Sequence, residues 1–150
     1  MVRSEHVVIG CIGLVLVASL IVVCGIVGIF YLGMTSEWEK TKAEGMEFGK
    51  HTDQSGCQDA SVSRLRTALK NHDILKRREA EVFAFGCFET CRATSGFCSA
   101  TPKEDDFLVI TRWALDQCQK EGFGSDDACV EVFKESADAC LGETKHANGN

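Results

Sequence analysis

The sequence predicts an all-α protein. A single N-terminal transmembrane helix extends past the membrane, and a small disulfide-stapled bundle of about four helices follows it. Three observations predict this. Residues 7–34 contain no charged residue and no proline, and an uncharged apolar run of about 18 or more residues marks a membrane span. Beyond it, apolar residues recur at three- and four-residue steps with no period-two stretch, the signature of helices rather than strands. Seven of the nine cysteines, Cys57, Cys87, Cys91, Cys98, Cys118, Cys129 and Cys140, follow the run. Small domains in oxidising compartments use cysteines at that density as staples.

Residues 1–6 form a short cytoplasmic N-terminus carrying Arg3. The apolar run 7–34 is longer than the core of a cleaved signal peptide, and no small-residue cleavage site follows it, so it is expected to remain as an anchor. Lysine and arginine counts on the two flanks do not orient it. The cysteines do: the C-terminal domain belongs in the periplasm, outside the cell, or in the mitochondrial intermembrane space if the source is eukaryotic. On a helix turning about 100° per residue, Gly10, Gly13, Val17, Cys24, Gly28 and Tyr31 share one stripe, and Trp38 continues it. Small residues let helix backbones approach closely in lipid, so this stripe is the expected packing face for transmembrane helices of other subunits or of a second copy.

Residues 35–56 read as a juxtamembrane helix extension and linker. Thr35, Trp38, Thr41, Gly45 and Phe48 carry the helical spacing, Gly45 and Gly49 are its weakest points, and His51 to Gly56 reads as linker and turn. The Cys-rich helical domain is expected over 57–141. Its first helix, about 57–71, places Val62, Leu65, Ala68 and Leu69 on one face. A second, about 74–94, is apolar over a wide arc through Val82, Phe83, Phe85, Cys87, Phe88 and Cys91, and is expected to be the most buried. Thr101-Pro102-Lys103-Glu104 has the residue order of a helix start, so a third helix is expected from there to about 120, through Phe107, Leu108, Ile110, Trp113, Ala114, Leu115 and Cys118. Gly122-Phe123-Gly124 stops it. Ser125 is the expected cap of a fourth helix, whose apolar face is Cys129, Val132, Phe133, Ser136, Ala137, Cys140 and Leu141. Residues 142–150 read as a disordered tail.

If the four helices run up and down as neighbours, Cys57, Cys91, Cys98 and Cys140 share one pole, with Cys87 one turn inward, and Cys118 and Cys129 share the other. Cys118–Cys129 is then the expected staple of the last turn. Cys57 is expected to pair with Cys87 or Cys91, and Cys98 or its neighbour with Cys140, leaving one cysteine over. Cys87-x3-Cys91 is similar to the twin-cysteine motifs of helical-hairpin proteins of the mitochondrial intermembrane space, but ten residues separate Cys118 from Cys129 and Cys129 from Cys140, which departs from their pattern.

Formal net charge is −6, unevenly spread. From 35 to 103 there are 11 Lys and Arg against 10 Asp and Glu, and from 104 to 150 there are 4 against 11. An acidic C-terminal third disfavours nucleic acid as a partner. No Cys-x-x-Cys, phosphate loop, nucleophile elbow or HExxH occurs, and His6, His51, His72 and His146 form no cluster with cysteines in sequence. No catalytic residue, cofactor, metal or small-molecule substrate is therefore expected. The sequence points to a non-enzymatic, single-pass accessory subunit of a larger membrane assembly. The alternatives are an envelope thiol–disulfide or metal-handling protein using Cys87 and Cys91, or an envelope sensor or adaptor.

Overall fold

The structure is a computed structural model that describes Ser19, residues 21–26 and residues 37–147. By its internal contacts the chain divides into two units, Met1–Glu37 and Trp38–Asn150. In the first, residues 21–26 are helical, and Ile21, Val22, Val23 and Ile26 are exposed. Among the described residues no helix is long and apolar enough to cross a membrane. Most of the run 7–34, including Gly10, Gly13, Val17, Gly28 and Tyr31, lies outside them.

The second unit is all-helical. Helix α1 covers 37–50, α2 Gln54–Lys70, α3 Ile74–Thr90, α4 Phe107–Lys120 and α5 Asp127–Ala147, with a short 3-10 turn at Phe97–Ser99. Among the described residues the only extended pairing is an isolated parallel bridge between Asp53 and Arg92. Short turns make α1 and α2, α2 and α3, and α4 and α5 antiparallel, and α5 runs parallel to α3, since Arg77 meets Asp126 near their starts and Phe88 lies by Ala139 farther along; α1, α3 and α5 thus run one way and α2 and α4 the other. One end, the entry pole, holds the start of α1, the α2–α3 turn and the α4–α5 turn. The far pole holds the α1–α2 turn, the long loop after α3 and the C-terminal part of α5.

The folded unit begins at Trp38, not at Cys57. The expected linker is a three-residue turn, 51–53, and Asp53 caps α2 by accepting from the Gly56 amide at 2.9 Å. Gly45 and Gly49 do not break α1; they are buried in it. A Cβ on Gly45 would stand 2.3 Å from the Phe83 carbonyl oxygen, and one on Gly86 would stand 2.3 Å from that of Lys42. The backbones of α1 and α3 thus touch directly, which side chains at these positions would prevent. The Thr90 hydroxyl donates to the Met46 carbonyl at 2.8 Å across the same contact. Arg64 of α2 lies 3.9 Å over the Phe83 ring and pairs with Glu44, so one guanidinium joins α1, α2 and α3.

The core falls into clusters along the other helices, one of them Ile110, Ala137 and Leu141 between α4 and α5. Leu65, Ala80, Ala114, Cys118, Cys129 and Phe133 pack near the entry pole. Cys57, Phe83, Ala84, Cys87, Phe88 and Val132 pack toward the far pole. Every residue of the expected apolar face of α5 is buried. Helix α3 is less enclosed than its composition suggests, since Phe85 faces outward. Phe107 and Leu108, expected on the inner face of α4, are exposed as well.

Helix ends differ from their expected positions for local reasons. Helix α4 starts after Asp106, whose carboxylate accepts from Leu108 and Val109 at 2.8 and 3.2 Å. Thr101 cannot cap it because its hydroxyl donates to the Cys98 carbonyl at 2.9 Å, within a segment held by the Cys98–Cys140 bond. Helix α5 is capped by Asp126 rather than Ser125, through the Cys129 amide at 3.1 Å. It continues to Ala147, past the expected start of a disordered tail; 148–150 lie outside the described residues. Helix α3 ends at Thr90, four residues early, because Arg92 is drawn into backbone bonds with Thr52 and Gln54.

The two entry-pole turns share one device. After α2, the Asp73 amide donates to Ala68 and the His72 amide to Leu69; after α4, the Phe123 amide donates to Cys118 and the Gly122 amide to Gln119. Both are Schellman closures, which require a left-handed residue. Gly122 takes φ 80° without penalty, whereas His72 takes φ 53° with a side chain, a conformation that costs about 1–2 kcal/mol outside glycine.

Two stability predictions follow from this geometry. Gly86→Ala should destabilise the full chain by about 1–3 kcal/mol by forcing α1 from α3, although alanine favours an isolated helix by about 1 kcal/mol. Thermal or denaturant unfolding in mild detergent reads the sign. In the same assay His72→Gly should stabilise by roughly 0.5–1 kcal/mol.

Candidate functional site: the cysteine pole and the acidic groove

The structure joins Cys57 to Cys87, Cys98 to Cys140 and Cys118 to Cys129, with Cα separations of 5.7, 5.4 and 5.9 Å. Of the two partners left open for Cys57, the geometry selects Cys87. Each bond ties different elements: α2 to α3, the post-α3 loop to α5, and the two ends of the α4–α5 turn. Cys118 and Cys129 sit at the entry pole; the other two bonds sit toward the far pole. Cys91, the seventh cysteine, is the half-buried cap residue of α3, with its sulfur 3.9 Å from the Phe88 carbonyl oxygen. Cys87 and Cys91 therefore do not form a dithiol, since the Cys87 sulfur is bonded to Cys57 and fully buried.

Gln54 holds the far pole together, and nothing in the local sequence pattern marks it. It falls in the stretch expected to be a linker, yet it is 2 % exposed. Its side-chain oxygen accepts from the Thr94 amide at 2.9 Å, and its backbone amide donates to the Arg92 carbonyl at 3.0 Å. The buried amide thus closes the loop that carries Cys91 and Cys98. A buried polar group of this kind is stable because it is hydrogen-bonded.

The charged groups are mostly occupied in pairs. Arg77 binds Asp126, which also caps α5; Arg66 binds Glu121 at 3.1 Å; Arg78 binds Glu81 at 2.8 Å; Lys42 binds Glu89 at 3.1 Å. Glu104 and Asp105 precede α4, and Asp106 is its cap. A cleft of about 400 Å³ opens between the end of α2 and the start of α3, lined by Arg64, Asn71, Asp73, Lys76 and Glu79. Its charged lining is engaged: Arg64 with Glu44, Asp73 as the cap of α3, and Lys76 with Glu79.

A second groove, about 170 Å³, lies between α3 and α5 and is lined by Phe85, Phe88, Glu89, Glu135, Asp138 and Ala139. Burial in it, reinforced by the like charges of Asp138 and Glu131 and opposed by Lys134, pushes the Glu135 carboxyl up to about 7. Burial likewise raises Glu81, against the pull of Arg78. Among the described residues, no group of three or more His, Cys, Asp and Glu side chains is placed to hold a metal ion.

Of the expected membrane packing face, Cys24 is described and exposed, and Trp38 is 41 % exposed on the first turn of α1; the other positions lie outside the described residues. Sequence periodicity did not indicate Gln54, Glu135 or the α1–α3 glycines. Only the spacing Gly45-x3-Gly49, a close-approach pattern, carried a signal for the last. No known family model, curated protein or solved structure matches the chain.

The raised Glu135 carboxyl has a measurable consequence. Between its ordinary value of 4.5 and about 7, the folded chain holds a proton that the unfolded chain releases, so stability falls as pH rises through that window. Glu135→Gln should flatten that slope and make the chain more stable than the parent above pH 7. Denaturation midpoints across the window test this; an unchanged slope would show that Glu135 does not titrate there.

Proposed function

We propose that this chain is a non-enzymatic accessory subunit of a membrane assembly, anchored once through residues 7–34, with its disulfide-stapled bundle outside the cytoplasm. The observation that carries the reading is the run itself: 28 consecutive residues with no charge and no proline, more than the roughly 20 that cross a bilayer core. Three disulfides in so small a domain support placement in an oxidising compartment. The stripe of Gly10, Gly13, Val17, Cys24, Gly28 and Tyr31 is the proposed packing face for partner transmembrane helices or a second copy. The bundle supplies a further surface at its far pole, where Phe107 and Leu108 are 65 % and 70 % exposed.

Thiol or metal handling by Cys87 and Cys91 is the weaker reading, because Cys87 is committed to Cys57. A sensor or adaptor role is the third reading.

The test is assembly in mild detergent. Gly28→Leu would hold a neighbouring backbone away and forfeit many weak dispersion contacts. It should release the chain from its co-purifying partners or from its own dimer. Val23→Phe, off the stripe, should leave assembly intact, and both variants should still insert. Equal retention of both would refute the packing face.

A further inference from the structure

We infer that the entry pole of the bundle rests on the bilayer surface, with Ile74 and Leu75 inserted at the level of the lipid headgroups. This rests on the anchor reading above and adds a second, independent membrane contact. Ile74 and Leu75 open α3 and are 70 % and 66 % exposed. Ile74 borders a small cleft with Asp127 and Ala128 of α5, yet most of both aliphatic side chains stands in the open, side by side on the first turn of an ordered helix. The residues around them are almost all exposed too: Lys70, Asn71, His72, Lys76 and Arg78. Lysine and arginine stems at that position can lie along apolar surface while their charges stay in water.

What places lipid there is the course of the chain. Helices α1 and α3 are parallel, because Lys42 meets Gly86, Gly49 meets Cys87 and Thr90, and the turn after α1 bonds to Arg92 beyond the end of α3. Trp38 and Ile74 therefore stand at the same pole. Counting back from the Gly49 contact, Ile74 lies beyond Trp38 by about 5 Å of helix rise. The apolar run ends at Met34. Whatever its conformation, a four-residue step to Trp38 spans at most about 15 Å. The pole carrying Trp38, Ile74 and Leu75 is thus the one the anchor tethers to the bilayer, and an aromatic residue with an adjacent aliphatic step suits the interface. Arg66, Arg77 and Arg78 at this pole are paired with Glu121, Asp126 and Glu81, so the contact is apolar insertion and needs no anionic lipid. The other exposed apolar step, Phe107 and Leu108, is at the far pole and points to a different neighbour.

The full chain reconstituted into phosphatidylcholine vesicles containing a phospholipid with a diazirine near its headgroup tests this. After irradiation and reduction, tryptic mapping should find lipid adducts in the apolar run and on the peptide 71–76. The peptide 104–112, which carries Phe107 and Leu108, should be several-fold less labelled. Ile74→Asn with Leu75→Asn should abolish adducts on 71–76 while the three disulfides and labelling of 7–34 persist. Adducts in 7–34 but none on 71–76 would overturn the surface contact and leave the anchor standing. Adducts on 104–112 in place of 71–76 would reverse the proposed orientation. No adducts anywhere, 7–34 included, would overturn the anchor and this contact together.

Discussion

The direct backbone contact between α1 and α3 is the constraint on which the rest of the bundle depends. Gly45 and Gly49 on one helix and Gly86 on the other leave no room for a Cβ. That closeness brings the Met46 carbonyl within reach of Thr90 and places Phe48 5.6 Å from Phe83. It also makes residues 37–50 a structural helix of the domain. In lipid such small-residue contacts drive helix association by dispersion. Here the same geometry works outside the apolar run.

The disulfides complete what this contact begins. Each closes a different join: α2 with α3, the loop after α3 with α5, and the α4–α5 turn. A domain of about this size has a limited core, and a disulfide typically contributes about 2–4 kcal/mol by restricting the unfolded chain. The post-α3 loop shows how bonds and polar groups cooperate. Cys98–Cys140 anchors it, Gln54 satisfies its backbone, and Thr101 and Lys103 both donate to the Cys98 carbonyl. Its backbone is therefore occupied before α4 can begin.

The two poles have different characters. The entry pole is closed by paired Schellman turns and ion pairs, and exposes Trp38, Ile74 and Leu75. The far pole holds two disulfides and the buried Gln54, and exposes the first turn of α4. The exposed apolar steps therefore lie at opposite ends of the bundle, with the core and the disulfides between them.

By itself the sequence determined the helical class, the order of the helices, the sorting of cysteines to two poles and the Cys118–Cys129 pair, because all of these depend on local periodicity and turn signals. Tertiary structure decided the rest. Cys87 and Cys91 lie one turn apart on the same helix, so only the position of Cys57 in the packed bundle could choose between them. Thr101 and Ser125 are as good caps locally as Asp106 and Asp126. Thr101 is lost to the Cys98 carbonyl, while Asp126 also gains Arg77 from another helix. Gly45 and Gly49 weaken an isolated helix and strengthen this one, because a glycine's value reverses when another backbone lies against it. Gln54 and Glu135 show the same limit: a polar residue's role depends on what buries it, and burial comes from elements distant in the chain.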